Sequence, residues 1–157
     1  MKRIISVSIC LAFVLSASTI LLPLPNMTFD QFQQRVRSLI TARNGALNAL
    51  FNAKNYQSMP DQLKFKTKIV THEGEVISGE DSENYWRKIG SQGGINLNFE
   101  EPQLTFMELE VSEPPLDEEI DYVAIEITKF TFTIGTEEHE GYLDPIYRHR
   151  VRCTVED

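Results

Sequence analysis

At 157 residues the chain is long enough for one domain with a single core, and a formal net charge of −8 disfavours phosphate backbones and anionic membrane surfaces as partners. Its 41% hydrophobic and 24% charged residues are ordinary globular usage, which excludes a disordered or fibrous chain. Lys2 and Arg3, the apolar run from Ile4 to Leu15 and the small residues Ser16-Ala17-Ser18 read as a secretory signal. Thr19 to Leu22 carries the apolar run almost to membrane-spanning length before Pro23 and Pro25 stop it, so residues 1–22 are either a cleaved signal peptide or an uncleaved signal anchor. Either alternative puts the folded part, residues 28–157, in a secreted or extracytoplasmic location, with no membrane contact beyond the N-terminal segment. Cys153 is then the one cysteine outside that segment, either buried in a strand or paired between subunits, and no cysteine or histidine spacing suggests zinc.

Asn26-Met27-Thr28 matches a glycosylation sequon. Thr28 with Gln31 also makes a capping box, with Met27 and Phe32 as its hydrophobic staple. The amphipathic helix that follows carries Phe29, Phe32, Val36, Leu39, Ile40, Leu47, Leu50 and Phe51 on one face, and Asn44-Gly45 is expected to kink or divide it. Leu63 to Thr71 alternates as a half-buried strand, His72 to Glu75 turns, and Val76-Ile77 pairs back. Gly79 ends that hairpin. Asp81 or Ser82 caps a helix bearing Tyr85, Trp86 and Ile89, which Gly90 stops.

The remainder reads as strand. Ile95, Leu97 and Phe99 alternate up to the break at Pro102, after which Leu104 and Phe106 resume one position out of phase. Val123, Ile125 and Ile127 are apolar at odd positions whereas Phe130, Phe132 and Ile134 are apolar at even ones, which predicts a bulge at Thr128-Lys129 and a sharply bent sheet. Ser112 to Asp121 reads as an acidic solvated loop. Ile146 to Val155 alternates Tyr147, His149, Val151 and Cys153 against Arg148, Arg150 and Arg152, the arginines facing glutamates or solvent.

This order of elements resembles the nuclear-transport-factor-2-like superfamily, in its SnoaL-like and ketosteroid-isomerase-like branch. The resemblance rests on ALNALFNAKNY (Ala46 to Tyr56), GEVISG (Gly74 to Gly79), NYWRKI (Asn84 to Ile89), DYVAIEITKFTFTIG (Asp121 to Gly135) and HEGYL (His139 to Leu143). It departs from the family in its final strand, YRHRVRCTVED, which has no tryptophan. The resemblance implies an α+β cone, helices packed over a strongly bent antiparallel sheet around an apolar cavity, often dimerised through the sheet's other face. In catalytic relatives a cavity carboxylate moves protons.

No family catalytic residue can be carried over by position, so candidates come from strand phase. His149 shares a face with Tyr147 and could serve as a base near pH 7, or simply sit at the core edge. Glu126 is a candidate carboxylate base if it faces the cavity, although its place before the expected bulge turns it outward. His72 and His139 fall in predicted turns and are expected to be exposed. Tyr56, Tyr85, Trp86, Phe106, Phe130, Phe132 and Tyr147 are candidate ligand-lining aromatics, with plain core as the alternative reading. No nucleotide, serine-nucleophile, haem or metal motif occurs, so no cofactor is expected. Three functions follow: a secreted domain binding a small apolar ligand without catalysis; an isomerase, cyclase or dehydratase using His149 or Glu126; or a homodimeric interaction module.

Overall fold

The computed structural model describes residues 27–110 and 118–153, with the side chains of Glu118, Arg152 and Cys153 left aside. The expected Ser112–Asp121 loop therefore lies mostly outside the described residues, and its end belongs to a strand. The signal, the sequon's Asn26, Cys10 and the side chain of Cys153 also lie outside them.

The chain begins with α1, Phe29–Asn52. Thr28 and Gln31 close a reciprocal capping box, Gln31 N–H to Thr28 Oγ1 at 3.2 Å and Thr28 N–H to Gln31 Oε1 at 2.9 Å. The helix runs unbroken for 24 residues, so Asn44-Gly45 does not divide it. Gly45 is exposed and would leave open space around a Cβ, so it weakens the helix only through its backbone freedom. Phe32, Val36, Ile40, Arg43, Leu47 and Phe51 form the buried face, which places one arginine in the apolar stripe.

Two short strands follow, β1 at Lys68–Val70 and β2 at Val76–Ser78, paired antiparallel with Ile69 opposite Ile77. The predicted strand from Leu63 is cut to its last part. Phe65 and Lys66 take positive φ, 63° and 54°, and Thr67 turns its hydroxyl onto the Lys64 carbonyl. This bend lets Leu63 and Thr67 sit against Gly79, where a Cβ would fall 2.7 Å from the Leu63 Cβ.

Helix α2, Glu83–Ser91, buries Tyr85, Trp86 and Ile89. Ser82 holds the N-cap position, as the sequence suggests, but its side chain makes no capping bond: its hydroxyl donates to the Gly79 carbonyl at 2.6 Å and accepts the Trp86 indole N–H at 3.0 Å. Gly90 lies within the helix instead of ending it. A Cβ there would fall 2.0 Å from the Tyr56 hydroxyl, so glycine is needed for close packing.

The remaining strands are β3 (Ile95–Phe99), β4 (Gln103–Glu110), β5 (Glu118–Ile134), β6 (Glu137–Leu143) and β7 (Ile146–Cys153). All pairings in this seven-stranded sheet are antiparallel, and β5 is its axis. The first part of β5 lies between β4 and β7, and the last part between β3 and β6, beyond which come β1 and β2. The parity change between β3 and β4 occurs as the sequence predicts, with Phe99 opposite Phe130 but Leu104 opposite Glu126. A further irregularity lies between Ile95 and Asn98, where Asn96 has φ 59°.

The bulge expected in β5 is absent. Ala124, Glu126, Thr128, Phe130 and Phe132 are all buried on one continuous face, while Ile125 and Ile127 are exposed on the other. The apparent change of phase arises because two inward positions, Glu126 and Thr128, are polar, while Val123, Ile125 and Ile127 on the outward face are apolar, Val123 being buried there. Those polar positions separate two hydrophobic clusters. One holds Leu47, Phe51, Trp86, Phe130 and Phe132; the other holds Phe32, Val36, Ile40, Ala124 and Tyr147.

Candidate functional site

Between the two clusters sits a buried polar group assembled from three elements. Arg43 enters from α1 one turn after Ile40 and one turn before Leu47, so helical periodicity aims it at the sheet. Glu126 and Thr128 come from the inner face of β5, and Tyr147 from the inner face of β7. Arg43 and Glu126 form a bidentate pair, Nη2 to Oε1 at 2.6 Å and Nη1 to Oε2 at 2.9 Å. The Tyr147 hydroxyl donates to Glu126 Oε2 at 2.7 Å, and the Thr128 hydroxyl donates to Oε1. Arg43 spends its remaining donors on Tyr147 Oη at 3.3 Å and Asn44 Oδ1 at 2.8 and 3.1 Å.

Glu126 thus faces inward, contrary to the outward orientation expected beside a bulge, and it is fully buried. Its two oxygens accept four hydrogen bonds, so neither is left to take a substrate proton. The Tyr147 phenol is pushed well above its ordinary value, first by burial and then by the adjacent carboxylate, with Arg43 opposing. It remains a donor. This constellation ties α1 to β5 and β7 as a structural lock. The sequence contained one signal for it, a charged residue on the apolar stripe of α1.

Beside the lock, the first half of α1, Phe65 and the edge of β7 line a partly open pocket of about 360 Å³. Phe32, Val36, Leu39, Phe65 and Tyr147 form its apolar walls, and His149 and Arg35 lie at its polar side. His149 is half-buried and stacks on Tyr122 with ring centroids 6.5 Å apart. Burial, with Arg35 adding to it, pushes its imidazole below the ordinary value, so it is neutral near pH 7. Phase reasoning therefore found His149 and Tyr147 but not Arg35, Leu39 or Phe65, which reach the pocket through helix rotation and the irregular turn before β1.

The other aromatic candidates lie elsewhere. Trp86 packs on Phe51, Tyr85 and Phe130 with centroids 6.5, 5.1 and 5.4 Å away, and Phe132 stacks on Phe130 at 6.3 Å. Tyr56 packs against Phe51 at 5.8 Å, and Phe106 meets Phe29 and Phe32 at 6.4 and 6.3 Å. These side chains fill core space, and Tyr147 is the member of the predicted set that lines the pocket.

The two remaining histidines differ from expectation. His139 lies in β6, not in a turn, and both it and His72 are half-buried. Their rings are 5.2 Å apart, and His72 Nδ1 lies 3.3 Å from the Tyr85 hydroxyl. Burial raises Tyr85 to about 12. Among the described residues no group of three or more histidine, cysteine, aspartate or glutamate side chains is placed to hold a metal, and no helix is long and apolar enough to cross a membrane.

No family model matches the chain, and no curated protein or solved structure does so either.

Proposed function

We propose that this chain is a secreted or extracytoplasmic, non-catalytic domain that binds a small, mainly apolar ligand in the pocket between α1 and β7. The reading includes a SnoaL-like cone architecture, supported by the order of helix, hairpin, helix and long antiparallel strands, with α1 lying over the inner face of β5 and β7. The observation that carries the functional part is the division of labour at the site. The buried carboxylate is saturated by Arg43, Tyr147 and Thr128, while the adjoining pocket keeps apolar walls. A general base needs a lone pair within reach of substrate, and Glu126 has none to offer. The test is calorimetric titration with decan-1-ol of the native chain and of Leu39→Trp, which fills the pocket. Binding by the first and not the second is expected; equal binding by both would refute the assignment.

A homodimer through the outer sheet face is a second reading, favoured by one specific feature. Leu109, Ile125, Ile127 and Ile146 are 44, 38, 46 and 38% exposed on that face, and strand register puts Ile125 directly opposite Ile146. The Asp121–Arg150 pair flanks them at 2.9 Å and offers both charges, as a self-complementary two-fold contact requires. Sedimentation at micromolar concentration should give a dimer that Ile125→Glu dissociates. A monomeric native chain would count against it.

A further inference from the structure

The pocket's walls are apolar, but its charge is of one sign. Among the described residues ten line it and none of these is acidic, in a chain with 23 acidic and 15 basic side chains overall. Three of the ten are arginines, and they are not equivalent. Arg150 is already held by Asp121 at 2.9 Å and by Glu119 at 3.6 Å. Arg148 stands opposite Val123 on the outer face and is near enough to Asp121 to favour its ionised form. Arg35 differs from both: it is half-buried on α1 and has no ion-pair or hydrogen-bond partner among the described residues.

A guanidinium partly withdrawn from water beside apolar walls loses hydration without a compensating partner. An arriving anion supplies one, with the planar donor fork that suits a carboxylate. The β7 edge adds backbone donors to the same region. Ile146 turns its N–H away from β5 to the Phe65 carbonyl at 3.1 Å, and ladder alternation turns the Arg148 N–H to the same side. His149, neutral near pH 7, can also donate one N–H to an oxygen there.

We infer that the ligand is an amphipathic monoanion, its carboxylate against Arg35 and a hydrocarbon body against Phe32, Val36, Leu39 and Phe65. This rests on the pocket reading proposed above and names the class of molecule that reading leaves open. A volume of about 360 Å³ is at the small end of ligand sites and accommodates roughly ten carbons. The apolar body supplies the driving force, and the arginine selects the head group.

The test is a calorimetric comparison of three probes of equal chain length on the purified protein: decanoate, decan-1-ol and decyltrimethylammonium. Decanoate should bind about tenfold more tightly than the alcohol at low salt, and the cation should not bind. Arg35→Gln should weaken decanoate about tenfold while leaving the alcohol unchanged, and Arg35→Lys should restore part of the loss. Circular dichroism establishes that each variant is folded. Equal affinity of the native chain for decanoate and the alcohol, or an Arg35→Gln variant that binds decanoate as tightly as the native chain does, would overturn the anion assignment while leaving the pocket reading intact. Failure of all three probes to bind would overturn both.

Discussion

The buried pair of Arg43 and Glu126 makes the sharpest energetic prediction, because its contribution depends on both charges being present. Removing one partner leaves the other buried and uncompensated, at a cost of about 3–5 kcal/mol. Glu126→Gln strands the Arg43 guanidinium, which is 8% exposed; Arg43→Met strands a carboxylate with no exposure at all. The double variant Arg43→Met with Glu126→Gln removes both charges together. Its amide oxygen can accept from Tyr147, and its amide nitrogen can donate to Thr128, so no hydroxyl is orphaned. Each single variant should therefore lose about 3–5 kcal/mol, whereas the double should lose only about 1–3 kcal/mol, far less than the sum. Urea unfolding followed through Trp86, the one tryptophan and fully buried, measures all four corners of the cycle. Additive losses in the double, or single losses below about 1 kcal/mol, would refute the lock and return Glu126 to consideration as a catalytic base.

Two glycines should respond oppositely to the same change. Gly45→Ala in α1 has open space around the new methyl and should stabilise by up to about 1 kcal/mol, whereas Gly90→Ala meets the Tyr56 hydroxyl and should destabilise by about 1–3 kcal/mol; urea midpoints give both signs. Acid should destabilise the fold in two stages. His72 and His149 both bind protons more weakly in the folded chain than the ordinary 6.5, with burial the first cause in each. The unfolded chain then takes up protons first as pH falls below that value, so stability is full above it and declines beneath it. Asp121, lowered mainly by its hydrogen bond from Arg150, adds a second loss as pH falls through the carboxylate range. Thermal melts between pH 7 and pH 3 should show both stages. The His72→Gln, His149→Gln variant should flatten the first alone, and a native Tm that rises on acidification would contradict the assignment.

Much of the architecture was legible because local signals and tertiary packing agree. The capping box at Thr28, the apolar stripe of α1 and the alternation in β7 each depend on periodicity within one element. Legibility failed in β5, where the period-2 rule assumes that the inward face is the apolar one. Glu126 is inward and polar because Arg43, more than eighty residues earlier, pairs with it there, Thr128 donates to the same carboxylate, and Ile125 and Ile127 are outward and apolar. A single strand cannot reveal that exchange, so it imitates a bulge. The truncated β1 failed for a related reason, since the positive φ at Phe65 and Lys66 serves the close approach to Gly79 and leaves no local mark. The pocket was half legible. His149 and Tyr147 share a strand face, whereas Arg35 and Leu39 become their neighbours only when α1 docks.

The most direct test of ligand binding between α1 and β7 is a backbone amide NMR titration with decan-1-ol, read residue by residue. Shifts concentrated at Phe32, Val36, Leu39, Phe65 and Tyr147, with Trp86, Phe130 and Phe132 unmoved, are the predicted result. Shifts centred on Trp86, Phe130 and Phe132 would put the ligand in the other cluster and contradict the account.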